Sequence, residues 1–161
     1  MLDLVLRNCR LPERADPLDL AIAGGRITAV GSSPGPARET LDVDGCLVTP
    51  GLVEAHIHLD KALLTNRVSG TAGTAAEAIR LTGQAKRGFT AADIAARARR
   101  VLDMAVPAGT TAMRAHVEVD PIVGLAGMEV MLALKREYAP AGGIQVCAFR
   151  SEGHTAGLPS L

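Results

Sequence analysis

Residues 52–60 read LVEAHIHLD and residues 110–120 read TTAMRAHVEVD, and the alternation inside these two stretches decides how the chain is read. Successive side chains on a strand point to opposite faces, so Glu54, His56, His58 and Asp60 share one side while Val53, Ala55, Ile57 and Leu59 share the other. The second stretch divides in the same way. Arg114, His116, Glu118 and Asp120 fall on one face, and Met113, Ala115, Val117 and Val119 on the opposite one. In a doubly wound sheet both faces meet helices, and two adjacent polar faces would be buried at high cost and poorly satisfied. A barrel interior removes the conflict, because its upper end holds polar side chains around a metal and a substrate.

Working outward, GIQVCAFRS (143–151) supplies a third strand, and longer helical stretches separate the three. Strands alternating with helices predict parallel βα architecture. Two helices are expected between the first two strands, over residues 74–87 and 91–106, and another over 122–138. Thr90 is placed to cap the second, with Asp93 at its third helical position. Ile94, Ala98, Val101, Leu102 and Ala105 then recur at helical spacing as the buried stripe, which leaves Arg97, Arg99 and Arg100 as a solvated face. Leu125, Met128, Met131 and Leu132 are read as core residues of the third helix. The apolar strand positions Val53, Ile57, Val117 and Val146 are expected to pack on the helices at 91–106 and 122–138.

Ahead of Pro50-Gly51 the pattern is different. Short β-like runs begin with LDLVLRNCRL (2–11), and Gly24-Gly25 interrupts LDLAIAGGRITAVG (18–31) as a hairpin turn between alternating runs. SSPGP (32–36) is a loop, followed by TLDV, the Asp44-Gly45 turn and CLVTP. Residues 1–50 thus predict a small antiparallel sheet, part of a β-sandwich with too few strands to complete one.

Composition removes several function classes. The 161 residues carry 17 Lys and Arg against 17 Asp and Glu, with 48% hydrophobic residues, which describes a soluble globular chain. A balanced charge and only three aromatics, Phe89, Tyr138 and Phe149, exclude a nucleic-acid partner. Cys9, Cys46 and Cys147 are far apart and lack a C-x-x-C, so neither a disulfide framework nor a cysteine zinc site is expected. Asp3 and Arg7 stand where a signal peptide needs its apolar centre, and no run approaches ~18 apolar residues. The expectation is a cytoplasmic chain with no membrane partner.

His-x-His on one strand sets two imidazoles on the same side, about 6 to 7 Å apart along the backbone, a span that two ligands of one ion bridge. Neutral imidazole suits Zn²⁺ or Fe²⁺, and such an ion lowers the pKa of water for attack on an electrophilic carbon. A bare His-x-His is a weak sign of metal. Its place at the C-terminal end of a first barrel strand, after a small β domain, strengthens it.

In TPGLVEAHIHLDKALL (49–64), AGTTAMRAHVEVD (108–120) and IQVCAF (144–149) the chain resembles the amidohydrolase superfamily, in particular its cytosine deaminase-like metal hydrolases. The first segment is highly specific, the second moderately so, and the third suggestive. The resemblance implies that His56 and His58 are metal ligands from the first strand of a (β/α)₈ barrel. It also implies that residues 1–50 are part of an accessory β domain, normally completed by sequence after the barrel. Cytosine deaminases usually read Phe-Pro-Gln-Glu-Gly where Phe149-Arg150-Ser151-Glu152-Gly153 stands here. Ser151 takes the place of the pyrimidine-binding glutamine, which makes Ser151 the candidate substrate contact and puts cytosine itself in question.

Around this pair, His116 faces the same interior, either hydrogen-bonded to Glu118 or a neighbouring strand or with a functional role. Asp60 is read as a residue supporting a ligand from behind, or as a helix-start residue, rather than as a third ligand. Lys61 is read as structural or exposed and His154 as solvated. No Walker motif, dinucleotide fingerprint or Gly-x-Ser-x-Gly elbow is present, and the cysteine spacing excludes the Pro-Cys-x-x-Cys zinc deaminases.

The expected fold is therefore α/β, a partial (β/α)₈ TIM barrel of about three strands over residues 51–161, preceded by part of a small β-sandwich over 1–50. Only 110 residues follow Gly51, against the roughly 250 of a complete barrel. The expected function is metal-dependent hydrolysis of a non-peptide C–N bond, with Zn or Fe as cofactor and a small nitrogen heterocycle as substrate. By resemblance, metal-activated water attacks a ring amidine carbon, an acidic residue protonates the ring nitrogen, and ammonia leaves. The catalytic residues and further ligands lie on strands beyond these three, so the chain alone is expected to be inactive and to form a homo-oligomer or aggregate. The alternative is a noncatalytic truncated fragment that pairs with another chain or persists as a remnant.

Overall fold

Alternating short runs with tight turns build the first unit, Met1–Pro50, and longer βα repeats build a second that begins at Gly51. The computed structural model describes residues 1–12, 14–31, 34–68 and 72–150. In the first unit, strands β1 (Leu2–Leu11), β2 (Arg14–Ala23), β3 (Arg26–Gly31) and β4 (Ala37–Asp42) form one sheet in the order β3-β2-β1-β4. Gly24 and Gly25 have φ of 58° and 72° and join β2 to β3, whose ladder ends at Ala23 opposite Arg26. Both residues of such a two-residue turn need positive φ, which glycine adopts without a Cβ penalty. Val5, Cys9, Leu18, Leu20 and Ala21 are buried among the described residues of this unit.

The sheet is not wholly antiparallel, as the short runs had suggested. β4 pairs parallel to β1, from Leu2 opposite Ala37 to Arg7 opposite Asp42. Alternation determines which face a strand presents, and it is silent on the direction of the neighbour that completes its open edge.

The second unit contains β5 (Leu52–Ile57), α1 (Ala75–Ala85), α2 (Ala91–Ala105), β6 (Thr110–Glu118), α3 (Ala126–Glu137) and β7 (Gly143–Phe149), with 3₁₀ turns at Leu59–Lys61 and Lys86–Gly88. The strands form a parallel sheet in the order β5-β6-β7. Leu59, Ile94, Ala98, Leu102, Met113, Ala115, Val117, Met131, Leu134 and Ile144 make one buried cluster between the helices and one face of this sheet. On the opposite face His56, Arg114 and Gln145 are exposed. None of the helices among the described residues is long and apolar enough to cross a membrane.

Local signals in the sequence reappear as contacts. Thr90 Oγ1 accepts the N–H of Asp93 at 3.2 Å and so starts α2. Thr74 does the same for α1 through the N–H of Glu77. Gly127 lets α3 lie close on β6, because a Cβ there would stand 3.0 Å from Val117 Cγ1.

Four expectations are corrected. Arg97 is buried, at 6% exposure, and not part of a solvated face. Its guanidinium stacks on the Phe89 ring at 4.5 Å and donates to the Ala62 carbonyl at 2.8 Å and to Asp93 Oδ2 at 3.1 Å. A charged group is tolerated in such a position only with partners of this kind. The third helix starts at Ala126 rather than near 122, because Asp120 Oδ1 accepts the N–H groups of Ile122 and Val123 at 2.7 and 3.0 Å and holds them in a turn. With that start, Gly127, Met131 and Leu134 face the core, and Leu125 and Leu132 are exposed. Val53 is exposed too, at 70%. α2 packs on α3 and on the turn at Leu59–Lys61, and α3 packs on β6 and β7, so edge strand β5 receives its cover beyond Val53.

Tyr138, the sole tyrosine of the chain, donates to Asp103 Oδ1 at 2.6 Å and so joins the end of α3 to α2. Burial, then the bond to Asp103 and that carboxylate's charge, push its phenol up to about 12. A raised acid pKa stabilises the fold fully below the unfolded value of about 10, and that contribution is lost as pH rises from there through the folded value. Tyrosinate absorbance should therefore appear with a midpoint near pH 12 in the folded chain and near pH ~10 in denaturant. Equal midpoints would show that the Asp103 contact is absent in solution.

Candidate metal centre

β5 leaves the sheet before β6 ends. Their ladder stops at Ile57 opposite Ala115, after an irregularity between Glu54 and Ile57, whereas β6 pairs regularly with β7 as far as Glu118 opposite Phe149. The β6 backbone groups left without β5 partners are met by side chains. His58 Nδ1 lies 2.9 Å from the His116 carbonyl oxygen, and Asp60 Oδ2 accepts the N–H of Glu118 at 2.8 Å. Buried backbone groups require partners of this kind.

A carbonyl only accepts, so His58 carries its proton on Nδ1, and in the neutral ring Nε2 is then a bare lone pair. That atom lies 3.3 Å from Nε2 of His56, with the ring centroids 5.1 Å apart and the planes at 67°. Two nitrogens bound tetrahedrally to one ion at ~2.0–2.1 Å would lie about 3.3 Å apart. The pair fits a divalent ion. Burial holds the His58 imidazole below the usual histidine range, opposed by its bond to the His116 carbonyl, and a neutral ring is the form that ligates. Glu54 Oε1 accepts the backbone N–H of His56 at 2.9 Å and ties down the other ligand candidate.

Two further rings border the pair. His116 stacks on His56 at 4.2 Å with the planes at 25°, and Phe149 lies 5.1 Å from His58. Lys61, read from sequence as structural or exposed, points its ammonium at the Phe149 ring from 4.9 Å and lies 3.5 Å from Glu118 Oε2. Asp60 is buried in the turn after β5, on the Glu118 N–H. Ser151 and His154 lie outside the described residues. Among the described residues there is no group of three or more His, Cys, Asp or Glu side chains able to hold an ion.

Sequence reading passed over Lys86. Its side chain is 1% exposed, and its ammonium lies 3.1 Å from Glu118 Oε1 and in contact with Asp120 Oδ2. Burial acts to raise the Asp120 carboxyl, but the hydrogen bonds from Lys86 and from the N–H groups of Val123 and Ile122 hold it below its ordinary range. The available signal was Glu118 and Asp120, two carboxylates at the end of a strand whose alternate positions Met113, Ala115 and Val117 are buried, which need a cation when they are buried too.

The second unit is thus a parallel βα sheet with a histidine pair at the end of its first strand. The chain belongs to the amidohydrolase family, whose sequence pattern matches residues 39–148. It is 30% identical over 164 aligned residues to N-isopropylammelide isopropyl amidohydrolase of Pseudomonas sp. (strain ADP), covering 98% of this chain and 41% of that one. The 5-methylcytosine deaminase of Klebsiella pneumoniae liganded with phosphonocytosine superposes with a TM-score of 0.83 at 31% identity, over 94% of this chain and 38% of that one. The fold alone is shared with atrazine chlorohydrolase of Arthrobacter aurescens complexed with zinc, at 19% identity and a TM-score of 0.71, over 90% of this chain and 35% of that one. The chain thus spans about two fifths of the length of these relatives.

The Asp60 contact makes a specific demand. Asp60→Leu leaves the Glu118 N–H buried without an acceptor and should destabilise the second unit by about 1–3 kcal/mol, whereas Asp60→Asn keeps an acceptor and should cost less. Hydrogen exchange at the Glu118 amide is the check, fast in the leucine variant and close to wild type in the asparagine variant.

Proposed function

We propose that this chain forms the first part of a metal-dependent hydrolase of non-peptide C–N bonds, of the type that deaminates small nitrogen heterocycles. The observation that carries this reading is the convergence of His56 and His58 Nε2 at 3.3 Å, with His58 Nδ1 engaged by the His116 carbonyl. His56 and His58 hold the ion, Zn²⁺ or Fe²⁺, and Asp60 fixes the turn that follows them through the Glu118 N–H. When bound, the ion supplies Lewis acidity toward water. Ser151 is the proposed contact for the heterocycle.

In this reading β5, β6 and β7 are the opening strands of a (β/α)₈ barrel, and residues 1–50 are part of its accessory β-sandwich. The matched relatives, which are more than twice as long, support it. So does the face of the sheet away from the helices, where exposed His56, Arg114 and Gln145 would line the barrel interior.

Titration of zinc into the chain tests the metal pair. Binding should be weak, because two imidazoles leave half or more of the coordination shell to water, and it should fall roughly tenfold or more in both His56→Ala and His58→Ala. Equal affinity in wild type and His58→Ala would remove His58 from the site.

One observation favours a second reading, a noncatalytic chain that pairs with another protein: no set of three ion-holding side chains exists among the described residues. The coding sequence beyond Leu161 separates the two. Further His, Glu and Asp residues at strand ends in an adjoining frame favour the enzyme, and their absence favours the second reading.

A further inference from the structure

The His116 ring lies against His56 with centroids 4.2 Å apart and planes at 25°, while the carbonyl oxygen of the same residue lies 2.9 Å from His58 Nδ1. One residue therefore touches both members of the pair. We propose that His116 is a positioning residue that sets both imidazoles, His56 through the flat face of its ring and His58 through its backbone carbonyl, and that it is not a third ligand. The proposal rests on the metal reading above.

Ring geometry separates the two roles. The lone pairs of an imidazole lie in the ring plane, so rings that converge on one ion are splayed, as His56 and His58 are at 5.1 Å and 67°. Two nearly parallel rings in contact aim their lone pairs side by side, and no point between them serves both. Stacking is instead the contact that one aromatic ring uses to hold another in place. The holder is well anchored. His116 stands on β6, the central strand, opposite Cys147 in an unbroken ladder with β7, whereas His56 is exposed and belongs to edge strand β5, whose ladder is irregular at that point. A fixed ring on the central strand thus limits the rotamers of a ligand on the edge strand, and a ring of another kind would do the same.

The test uses the full chain with His116→Phe, His116→Ala and His116→Leu, the last filling volume without a flat ring. In the metal-free chain, the His56 ring protons should carry an upfield ring-current shift in wild type and His116→Phe that is lost in the alanine and leucine variants. Zinc affinity should follow the same division, with His116→Phe within about twofold of wild type and the alanine and leucine variants weaker by about tenfold. Leucine alone suffices as the flat-ring-free variant if alanine does not fold. Wild-type affinity without a flat ring overturns the proposal. So does a folded phenylalanine variant as weak as leucine, since the nitrogens of His116 would then be what matters. Zinc binding in wild type that is indifferent to His56 and His58 defeats the metal reading, and the ring-current shift still decides whether His116 positions His56.

Discussion

Past Ile57 the chain turns out of the sheet while β6 runs on, and the backbone of β6 must then find partners other than a neighbouring strand. An unmet N–H or C=O in such a place costs about 1–3 kcal/mol. His58 and Asp60 meet this demand with their side chains, on the carbonyl of His116 and the N–H of Glu118. The bond to His58 also selects the tautomer that leaves Nε2 bare and directed at His56. Backbone satisfaction and assembly of the histidine pair are therefore one event, and the remaining features of the second unit can be understood as supporting that turn.

Charge is managed in the same region. Glu118 and Asp120 are buried at the end of β6, and Lys86 reaches them from the turn that precedes α2. Lys61 approaches Glu118 from the turn after β5, and Arg97 grips the Ala62 carbonyl from α2. Buried ion pairs are weak sources of net stability, because desolvation offsets much of the attraction. Their effect here is geometric. Three cations from different elements converge on the segment around His58 and on the strand end beside it, which restricts how far either can shift.

The two faces of the β5-β6-β7 sheet have opposite characters, and this asymmetry links the fold to its proposed use. One face is closed by α2 and α3 over aliphatic side chains and methionines. The other carries His56, Arg114 and Gln145 in the open, with an Arg114 to Gln145 bond of 2.8 Å between adjacent strands. Such a face is stable in water, and it also suits the lining of a solvated cavity. Family membership and the greater length of the relatives accord with the second use.

What the sequence determined by itself is what depends on neighbours a few residues apart. The Gly24-Gly25 hairpin and the Thr90 cap with the Ile94, Ala98 and Leu102 stripe are consequences of local turn chemistry and backbone period. Tertiary structure decided whatever needed a distant partner. Lys86 meets carboxylates 32 and 34 positions away, and His58 bonds a carbonyl 58 positions away. The direction of β4, the burial of Arg97 and the stacking of His116 on His56 belong to the same class. The physical reason is common to all of them. A polar group is buried or exposed according to whether a complementary group arrives from elsewhere in the chain, and its arrival is governed by strand order and register, which the period of a single strand does not encode.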